Sequence, residues 1–455
     1  MAIRPTQTMT SDVHTQGLRP SRVRWGVLVL LFLAVGVNYM DRVNLSVVQG
    51  SLEHQFGLTG TQYGWLQSTF IVAYLIAQVP GGRLLDRWGT EGFYALLILL
   101  WSGATFAMGI GGLLGFGTTA VLGLMMVCRI VIGLAQAPSF PANAKIAAMW
   151  FPHHERARAI GAYSTGQYLV TGLMVPVLSI VGVRYGWPSV FYVSGGLGIL
   201  LGLWWLFGYR DPEHSRANAA ELALIRQDNR QAPSVADEPD SGKVGWPELR
   251  HILAQGRFWG ICFMHFAATS ILYFFLTWFV PFLRSSLQLQ GAWAGVMESV
   301  PFLLAAVGVL FGGVWSDLLL KSGHSLVKAR KIPIVSGLLV SALIFCSPFL
   351  SAWPLVVICV LSVVFLANAG SNLGWTAMSD ILPKRMIGTA GGILNICGNM
   401  AGILTPLVFG RVRDMTGSLN GGMYYLGAVA LLGALCFLFF INDLTEIDIS
   451  QARSR

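Results

Sequence analysis

Charged residues are scarce in this sequence, since only 11% of its 455 residues are Asp, Glu, Lys or Arg. Soluble domains carry about 25% charged residues, so the composition excludes a water-soluble protein, although the length would allow about three soluble domains. The chain also lacks the low hydrophobicity of disordered proteins, because 54% of its residues are hydrophobic. These deficits predict a membrane protein that crosses the bilayer many times.

Metal-ligand spacing is absent from the six cysteines, each of which lies inside an apolar run. We therefore expect no disulfide, no metal site and no cofactor. The net charge of +9 is scattered between the apolar stretches, which argues against a nucleic-acid partner. The first apolar run has no clear cleavage site, and we interpret it as a retained helix rather than a signal peptide.

Twelve apolar runs are long enough to cross a bilayer as helices of about 20 residues. They start near Trp25, Tyr63, Gly92, Thr118, Arg158, Ser189, Phe258, Trp293, Lys331, Pro354, Met386 and Gly422. A polar linker separates the first six from the last six, and we expect one short surface helix in it, near Ala219–Gln227. The predicted division is a tail (1–24), a six-helix half (25–208), the linker (209–256), a second half (257–441) and a tail (442–455).

The placement of Lys and Arg predicts the orientation in the membrane. With the N-terminus inside, 24 of the 30 basic residues fall on the inner side. Only four fall on the outer side, namely Arg184, Arg284, Arg411 and Arg413. Both termini and the linker are therefore predicted to be cytoplasmic. The remaining two, Arg42 and Arg129, lie within predicted spans.

The two halves match each other at an offset of about 230 residues. Several residues recur at the same place in each half, and a parallel duplication of this kind is typical of transporters whose halves move about a central site. The recurring pairs are Gly161 with Gly391, Gly172 with Gly402, Pro176 with Pro406, Gly82 with Gly313 and Asp86 with Asp317.

The segment Gly81–Gly89, with the sequence GGRLLDRWG, resembles the cytoplasmic signature of the major facilitator superfamily, and Gly312–Asp317 is a second copy. This resemblance implies an all-α membrane fold of twelve transmembrane helices in two pseudo-symmetric halves. We interpret four charged residues as gate residues, the alternative being ordinary charged turns. They are Asp86, Arg87, Asp317 and Asp380.

A closer resemblance, to the anion:cation symporter family within that superfamily, covers nearly the whole chain. Its motifs are Asn38–Ser46, Gln136–Asn143, Trp150–Pro152, Phe274–Phe279 and Gly391–Asn395. Bacterial members carry sugar acids such as galactonate, glucarate and hexuronates. The resemblance implies a monomeric inner-membrane transporter that imports a small organic anion together with protons by alternating access. Another carboxylate, such as tartrate or an aromatic acid, is the alternative substrate.

Ionisable residues inside a membrane cost roughly 2.5–3.5 kcal/mol each at a helix centre, so they are functional candidates by default. Asn38, Asp41 and Arg42 share one face of the first predicted span. An arginine can hold a carboxylate bidentately, and a neighbouring aspartate can take up and release a proton. The family resemblance puts this pair at the coupling site, whereas a structural ion pair at the helix end is the alternative.

Arg129 and Gln136 share a face of the fourth predicted span. The resemblance puts Arg129 near the transport cavity, where it binds substrate or forms a buried interhelical bond. Proton-coupled relatives often carry Glu where this chain has Gln136, which cannot titrate, so the number of protons per substrate stays open. Glu298 is a second candidate proton carrier, and His265 is either a packing residue or a second compensating group.

Polar side chains recur at helical spacing on the fifth and tenth predicted spans, which predicts helices that face a cavity. Uncharged donors and acceptors with a few aromatic rings suit a polyhydroxylated ligand, while interhelical hydrogen bonding is the alternative. The residues predicted to contact the substrate are Tyr39, Arg42, Tyr74, Arg129, Gln136, Gln167, Trp375, Thr376 and Asn395.

Three other functions are alternatives to import of an anion. An exporter of the same fold is the nearest, but two arginines in the spans favour an anionic ligand over a cationic drug. A membrane-embedded enzyme would need a nucleophile–base pair or a metal cluster, and the predicted spans offer no such group of residues. A transporter-like sensor is not excluded, although the sequence shows no cytoplasmic signalling domain.

Overall fold

The computed structural model describes residues 19–112, 117–231, 246–288, 292–371, 373–383 and 386–447. Twelve helices in these ranges are long and apolar enough to span a membrane, which confirms the predicted number. Those of the first half are TM1 (Val23–Phe56), TM2 (Gly60–Trp88), TM3 (Gly92–Ile110), TM4 (Thr118–Gln136 with Ser139–Trp150), TM5 (His153–Ser164 with Gly166–Tyr185) and TM6 (Trp187–Gly208).

Six spans form the second half, and two of them change their geometry along their length. TM9 finishes as a 3-10 helix, and TM10 consists of two α-helical segments. The spans are TM7 (Gly256–Thr277), TM8 (Ala292–Lys321), TM9 (Leu326–Ser341 with Ala342–Leu350), TM10 (Pro354–Ser371 with Gly374–Ile381), TM11 (Ile387–Thr416) and TM12 (Asn420–Phe440).

Short helices lie outside the spans. The predicted linker helix is present from Ala219 to Gln231, and a second linker helix covers Trp246–Leu253. The sequence did not predict Phe279–Ser286, which follows TM7 almost directly, because eight residues that include Pro281 and Arg284 resemble a loop. Residues 1–18, 232–245 and 448–455 of the predicted tails and linker lie outside the described residues.

One end of the helices carries the linker and both described ends of the chain, and we call it the linker face. There the Glu221 carboxylate of the linker helix accepts hydrogen bonds from the Arg24 amide (3.2 Å) and the Ser21 hydroxyl (2.5 Å). The amides at a helix N-terminus lack intrahelical partners, so Glu221 caps TM1 from another helix. At the same face the Ile447 amide donates to the Ile381 carbonyl at the end of TM10. The opposite end of the helices is the far face.

The halves pack against each other toward the far face, where TM2 meets TM11 and TM5 meets TM8. A Cβ placed on Gly64 would lie 2.6 Å from the Pro406 carbonyl oxygen, and one on Gly295 would lie 3.1 Å from the Pro176 Cα. Glycine therefore permits both close approaches. Gly64 with Gly295, and Pro176 with Pro406, are separated by the offset of the internal repeat. The two contacts are thus the same contact made twice by pseudo-symmetry.

Candidate functional site

The centre of the molecule holds an arginine enclosed by aromatic rings. Arg42 of TM1 is 6% exposed, and its guanidinium carbon lies 4.6 Å from the ring centroid of Tyr39, 5.0 Å from Phe70 and 5.4 Å from Tyr74. Cation–π contacts of this kind are attractive, more so in a desolvated site. The Arg42 Nε and Nη2 atoms have no hydrogen-bond partner among the described residues. The rings therefore position the cation while two donors remain free.

A second buried arginine, Arg129 of TM4, is held by the neighbouring helices. Its Nη2 donates to Gln67 Oε1 at 2.6 Å, its Nε to the Leu66 carbonyl at 3.3 Å and its Nη1 to the Asp41 carbonyl at 3.4 Å. All of these acceptors are neutral. Among the described residues, no carboxylate bonds to this guanidinium, so its positive charge is not compensated by an ion pair.

Both guanidinium groups border one small cavity between the halves. Each guanidinium carbon lies within 5.0 Å of the Phe70 ring centroid. The space is about 10 Å³ for the centre of a water molecule, which is room for roughly one water. The lining residues are Arg42, Gln67, Phe70, Ile71, Arg129, Tyr273, Leu276, Thr277 and Gly402. In this conformation the site is a nearly closed, positively charged centre.

Asp41 and Asn38 lie beside Arg42 on TM1 but do not bind it. Asp41 is 1% exposed and Asn38 is 2% exposed. Neither the Asp41 carboxylate oxygens nor the Asn38 amide atoms have a hydrogen-bond partner in the described part of the chain. Burying an unpaired carboxylate is costly unless it is protonated. The geometry is therefore compatible with a proton on Asp41 in this conformation.

Gln136, Glu298 and His265, the other residues considered for proton coupling, do not border this cavity. Gln136 is fully buried near the end of the first segment of TM4, and neither of its amide atoms has a partner among the described residues. Glu298, also fully buried, accepts a hydrogen bond from Arg284 Nε at 2.8 Å, which puts it in an ion pair near the far face. His265 packs against Gly374 and Gly398, between TM10 and TM11. Proton transfer by Glu298 remains a prediction.

Four of the predicted substrate contacts lie on TM5, TM10 and TM11. Gln167, Thr376 and Asn395 are half-buried, and Trp375 is 47% exposed. Asn399 Nδ2 donates to Asn395 Oδ1 at 2.9 Å. Gln167, Trp375, Thr376 and Asn395 do not border the small cavity around Arg42 in this conformation. Their role as ligand contacts remains a prediction, which requires the halves to close around a substrate.

The predicted gate residues lie at the linker face, and those that form ion pairs do so within their own half. Asp86 pairs with Lys145 at 3.0 Å, and Asp380 pairs with Arg330 at 2.9 Å. Arg330 also donates to the Ser316 hydroxyl, next to Asp317. Arg87 and Asp317 are exposed. A latch between the halves through these residues stays a prediction for another conformation.

Between described residues, all hydrogen bonds that join the two halves lie toward the far face. Arg413 pairs with Glu53 at 2.8 Å, and the Asp414 carboxylate accepts from the Gly60 amide at 2.6 Å. Arg284 Nη1 donates to the Val47 carbonyl at 2.7 Å. The far face is thus closed by charged groups, whereas the polar residues on the linker side remain partly exposed.

Sequence reasoning missed several polar residues of this interface. Gln67 holds Arg129, and Tyr63 donates to the Thr277 carbonyl of TM7 at 2.8 Å. Tyr63 and Gln67 are four residues apart on TM2, so they share a face, a spacing that a search for polar stripes could have found. Arg284 could have been noticed because it is one of only four basic residues on the predicted outer side.

A family comparison decides the kind of protein. The family model described as Major Facilitator Superfamily matches residues 31–406. The chain belongs to the major facilitator superfamily. It is therefore a transporter rather than an enzyme, and the twelve spans in two pseudo-symmetric halves are the fold of that superfamily.

Among the similar proteins are transporters named for sugar acids. The chain is 37% identical over 438 residues to the probable galactarate/D-glucarate transporter GudP of Bacillus subtilis, with 95% of each chain covered. It is 35% identical over 443 residues to the D-galactonate transporter of Escherichia coli, covering 96% of this chain and 100% of that one. The inward-open xylose transporter XylE from Escherichia coli shares the fold, with a TM-score of 0.73 at 14% identity over 95% of this chain and 99% of that chain.

Proposed function

We propose that this protein imports a sugar acid together with protons, by alternating access, across a bacterial inner membrane. The observation that carries the proposal is the pair of buried guanidinium groups, Arg42 and Arg129, that border one cavity without a carboxylate partner among the described residues. Uncompensated buried charges are costly. An anionic substrate supplies the missing charge, and its carboxylate can bind the free donors of Arg42 bidentately.

The hydroxyl groups of a sugar acid need hydrogen-bond partners of their own. Gln167, Thr376 and Asn395 supply uncharged donors and acceptors on the linker side of the cavity, and Trp375 supplies an aromatic face. The printed names of the relatives, galactarate, glucarate and galactonate transporters, support the same substrate class. We propose hexonates, hexarates and hexuronates as the candidates, with tartrate and aromatic acids as weaker ones.

Asp41 is the proposed proton carrier. It is buried next to Arg42 and its carboxylate lacks a partner in the described residues, so protonation removes the cost of burying its charge. In the proposed cycle Asp41 takes up a proton while Arg42 binds the substrate carboxylate. The proton and the substrate are then released on the cytoplasmic side. One proton with a monoanion moves no net charge, whereas each further charge adds about 2.3 kcal/mol per 100 mV.

Alternating access is supported by the asymmetry of the two faces. The halves 25–208 and 257–441 are bonded to each other toward the far face. Most basic residues belong to the linker face, which by the positive-inside rule is the cytoplasmic one. We propose that the halves rock, that the far face opens to the periplasm, and that Asp86, Arg87, Asp317 and Asp380 rearrange to close the linker face.

A binding screen tests this function. Purified protein is titrated with galactonate, glucarate, galactarate, a hexuronate and hydrophobic cations, and the shift of the thermal unfolding midpoint is measured. We expect stabilisation by sugar acids that is lost in Arg42→Ala and kept in Arg184→Ala, because Arg184 is exposed at the far face. Stabilisation by hydrophobic cations alone would overturn the proposal in favour of an exporter.

A further inference from the structure

A chain of three hydrogen bonds connects Arg129 to the opposite half of the molecule. Arg129 Nη2 donates to Gln67 Oε1 at 2.6 Å, Gln67 Nε2 donates to Tyr63 Oη at 2.8 Å, and Tyr63 Oη donates to the Thr277 carbonyl at 2.8 Å. Gln67 is 2% exposed and Tyr63 is 1% exposed. Arg129, Gln67 and Thr277 all border the proposed binding cavity.

The direction of every bond in this chain is determined by chemistry. A guanidinium has only donors, so the Gln67 oxygen faces Arg129 and the Gln67 NH₂ group faces Tyr63. A phenol has one hydrogen, and the Tyr63 hydrogen goes to the Thr277 carbonyl, which can only accept. The amide of Gln67 therefore keeps one orientation for as long as Thr277 remains within reach of Tyr63.

That reach depends on the far face being closed. Thr277 ends TM7 in the second half, whereas Tyr63 lies in the first turns of TM2 in the first half. The Tyr63 ring also packs edge-on against the ring of Trp278, which follows TM7, with 4.9 Å between the ring centroids. The Trp278 indole NH in turn donates to the Pro406 carbonyl of TM11 at 3.2 Å. Separation of TM2 from TM7 and TM11 would remove the acceptor of the Tyr63 hydroxyl.

We propose that Tyr63 and Gln67 form a switch that docks the Arg129 guanidinium when the far face closes and frees it when the far face opens. Once the Thr277 carbonyl has moved away, the Tyr63 hydroxyl hydrogen needs a new acceptor. The Gln67 oxygen becomes that acceptor when the side-chain amide flips. The NH₂ group of Gln67 then faces Arg129, two donors cannot bond, and the guanidinium is free for an anion.

The switch rests on the proposed function, and it would make anion binding directional. Arg129 is free when the site faces outward, so it helps to capture a sugar acid there. Arg129 is occupied by Gln67 when the far face is closed, so the acid loses a partner as the site opens to the linker face. Tyr63 and Gln67 are positioning residues in this scheme, since they act on the substrate through Arg129.

Two substitutions separate the switch from a merely structural role. Tyr63→Phe removes the hydroxyl group that would drive the amide flip, so the Gln67 oxygen stays bonded to Arg129 whether the far face is open or closed. We expect the external KM for the sugar acid to rise about fivefold to tenfold with little change in kcat. In Gln67→Ala nothing docks Arg129 after closure, so release slows and kcat falls by a similar factor without a rise in KM.

The double variant and a matched control complete the test, which uses uptake by the full chain in proteoliposomes. We expect Tyr63→Phe to have no further effect in the Gln67→Ala background, because the tyrosine acts only through the amide. The control is Tyr94→Phe, which removes a buried hydroxyl that donates to Asn143 within one half at 2.8 Å. It should leave both kinetic constants near those of the unmodified protein.

The opposite results would overturn the switch. If Tyr63→Phe only weakened the closed far face, more of the protein would face outward and the external KM would fall. A lowered KM, an additive double variant, or parallel changes in Tyr63→Phe and Tyr94→Phe would each refute it. Absence of sugar-acid uptake by the unmodified protein would instead refute the proposed function, so the two failures are distinguishable.

Discussion

A buried serine at the far face offers a quantitative test of the closed conformation. Ser179 of TM5 is 5% exposed, and its hydroxyl donates to Glu298 Oε2 at 2.6 Å and accepts from Arg284 Nη2 at 2.9 Å. Arg284 and Glu298 belong to the second half, so their ion pair survives opening, whereas both bonds to Ser179 are broken. Ser179→Ala removes these two bonds between the halves and leaves the ion pair in place.

The expected magnitude follows from the charges and their exposure. Hydrogen bonds to charged groups contribute about 1.5–3 kcal/mol each. The side chain of Glu298 is fully buried, but that of Arg284 is 31% exposed, so solvent replaces part of the second bond. We therefore expect the substitution to destabilise the closed far face by about 2 kcal/mol, which shifts the closed-to-open ratio by about 30-fold.

The assay measures the separation of the two halves at the far face. Spin labels at Ser51 and Met415, which are exposed at the ends of TM1 and TM11, are placed in a background without the six native cysteines. Pulsed electron paramagnetic resonance should show a longer distance gaining population in Ser179→Ala. Ser341→Ala is the matched control, since Ser341 is also buried but bonds only within the second half.

The distance distribution also tests whether Ser179 stabilises the closed far face. If Ser179→Ala matched both the unmodified protein and Ser341→Ala, the three-residue network would not stabilise closure. A shift in Ser341→Ala as large as that in Ser179→Ala would mean that any buried serine has this effect. Either result would remove the far-face network from the account of alternating access.

Two further predictions concern packing and pH. Gly64→Val should block closure of the far face, because a Cβ on Gly64 would lie 2.6 Å from a TM11 carbonyl oxygen. In a counterflow assay this variant should lose substrate exchange while it still binds external substrate. The control Gly103→Val, which has open space around the added side chain, should exchange substrate normally. Burial would raise the Glu91 pKa, but bonds from the Asp211 amide and His214 hold that pKa below its ordinary value. The stabilisation by ionised Glu91 is present above the pKa of the unfolded state and is lost as pH falls through the pKa of the folded state. Glu91→Gln should therefore lower the thermal unfolding midpoint near pH 7 but not in acid. An equal lowering in acid would contradict this prediction.

The fold was largely predictable because hydrophobicity alone identifies spans in a membrane. The bilayer leaves helices of about 20 apolar residues as almost the only solution, and the twelve predicted runs correspond to twelve helices in the described part of the chain. The helix at Phe279–Ser286 was not predictable in this way, since it is short and carries Pro281 and Arg284. Its apolar residues Phe279, Val280, Phe282 and Leu283 are buried, a tertiary contact that so short a segment does not reveal in its sequence.

The candidate site was most predictable where charge makes a residue conspicuous. Arg42 and Arg129 stand out because a cation inside a span is costly, and both border the central cavity. Gln67 and Tyr63 do not stand out, because uncharged polar residues often bond between helices. Their connection to Thr277 is a long-range contact between TM2 and TM7, which helical spacing within one span does not reveal.

Acid-driven uptake of a labelled sugar acid into proteoliposomes tests the central claim most directly. With an acidic exterior the unmodified protein should accumulate galactonate or glucarate, and collapse of the pH gradient should stop accumulation. Asp41→Asn should lose the dependence on the gradient, while Asp443→Asn, in an exposed residue after TM12, should keep it. Gradient-driven accumulation by Asp41→Asn equal to that of the unmodified protein would contradict the account.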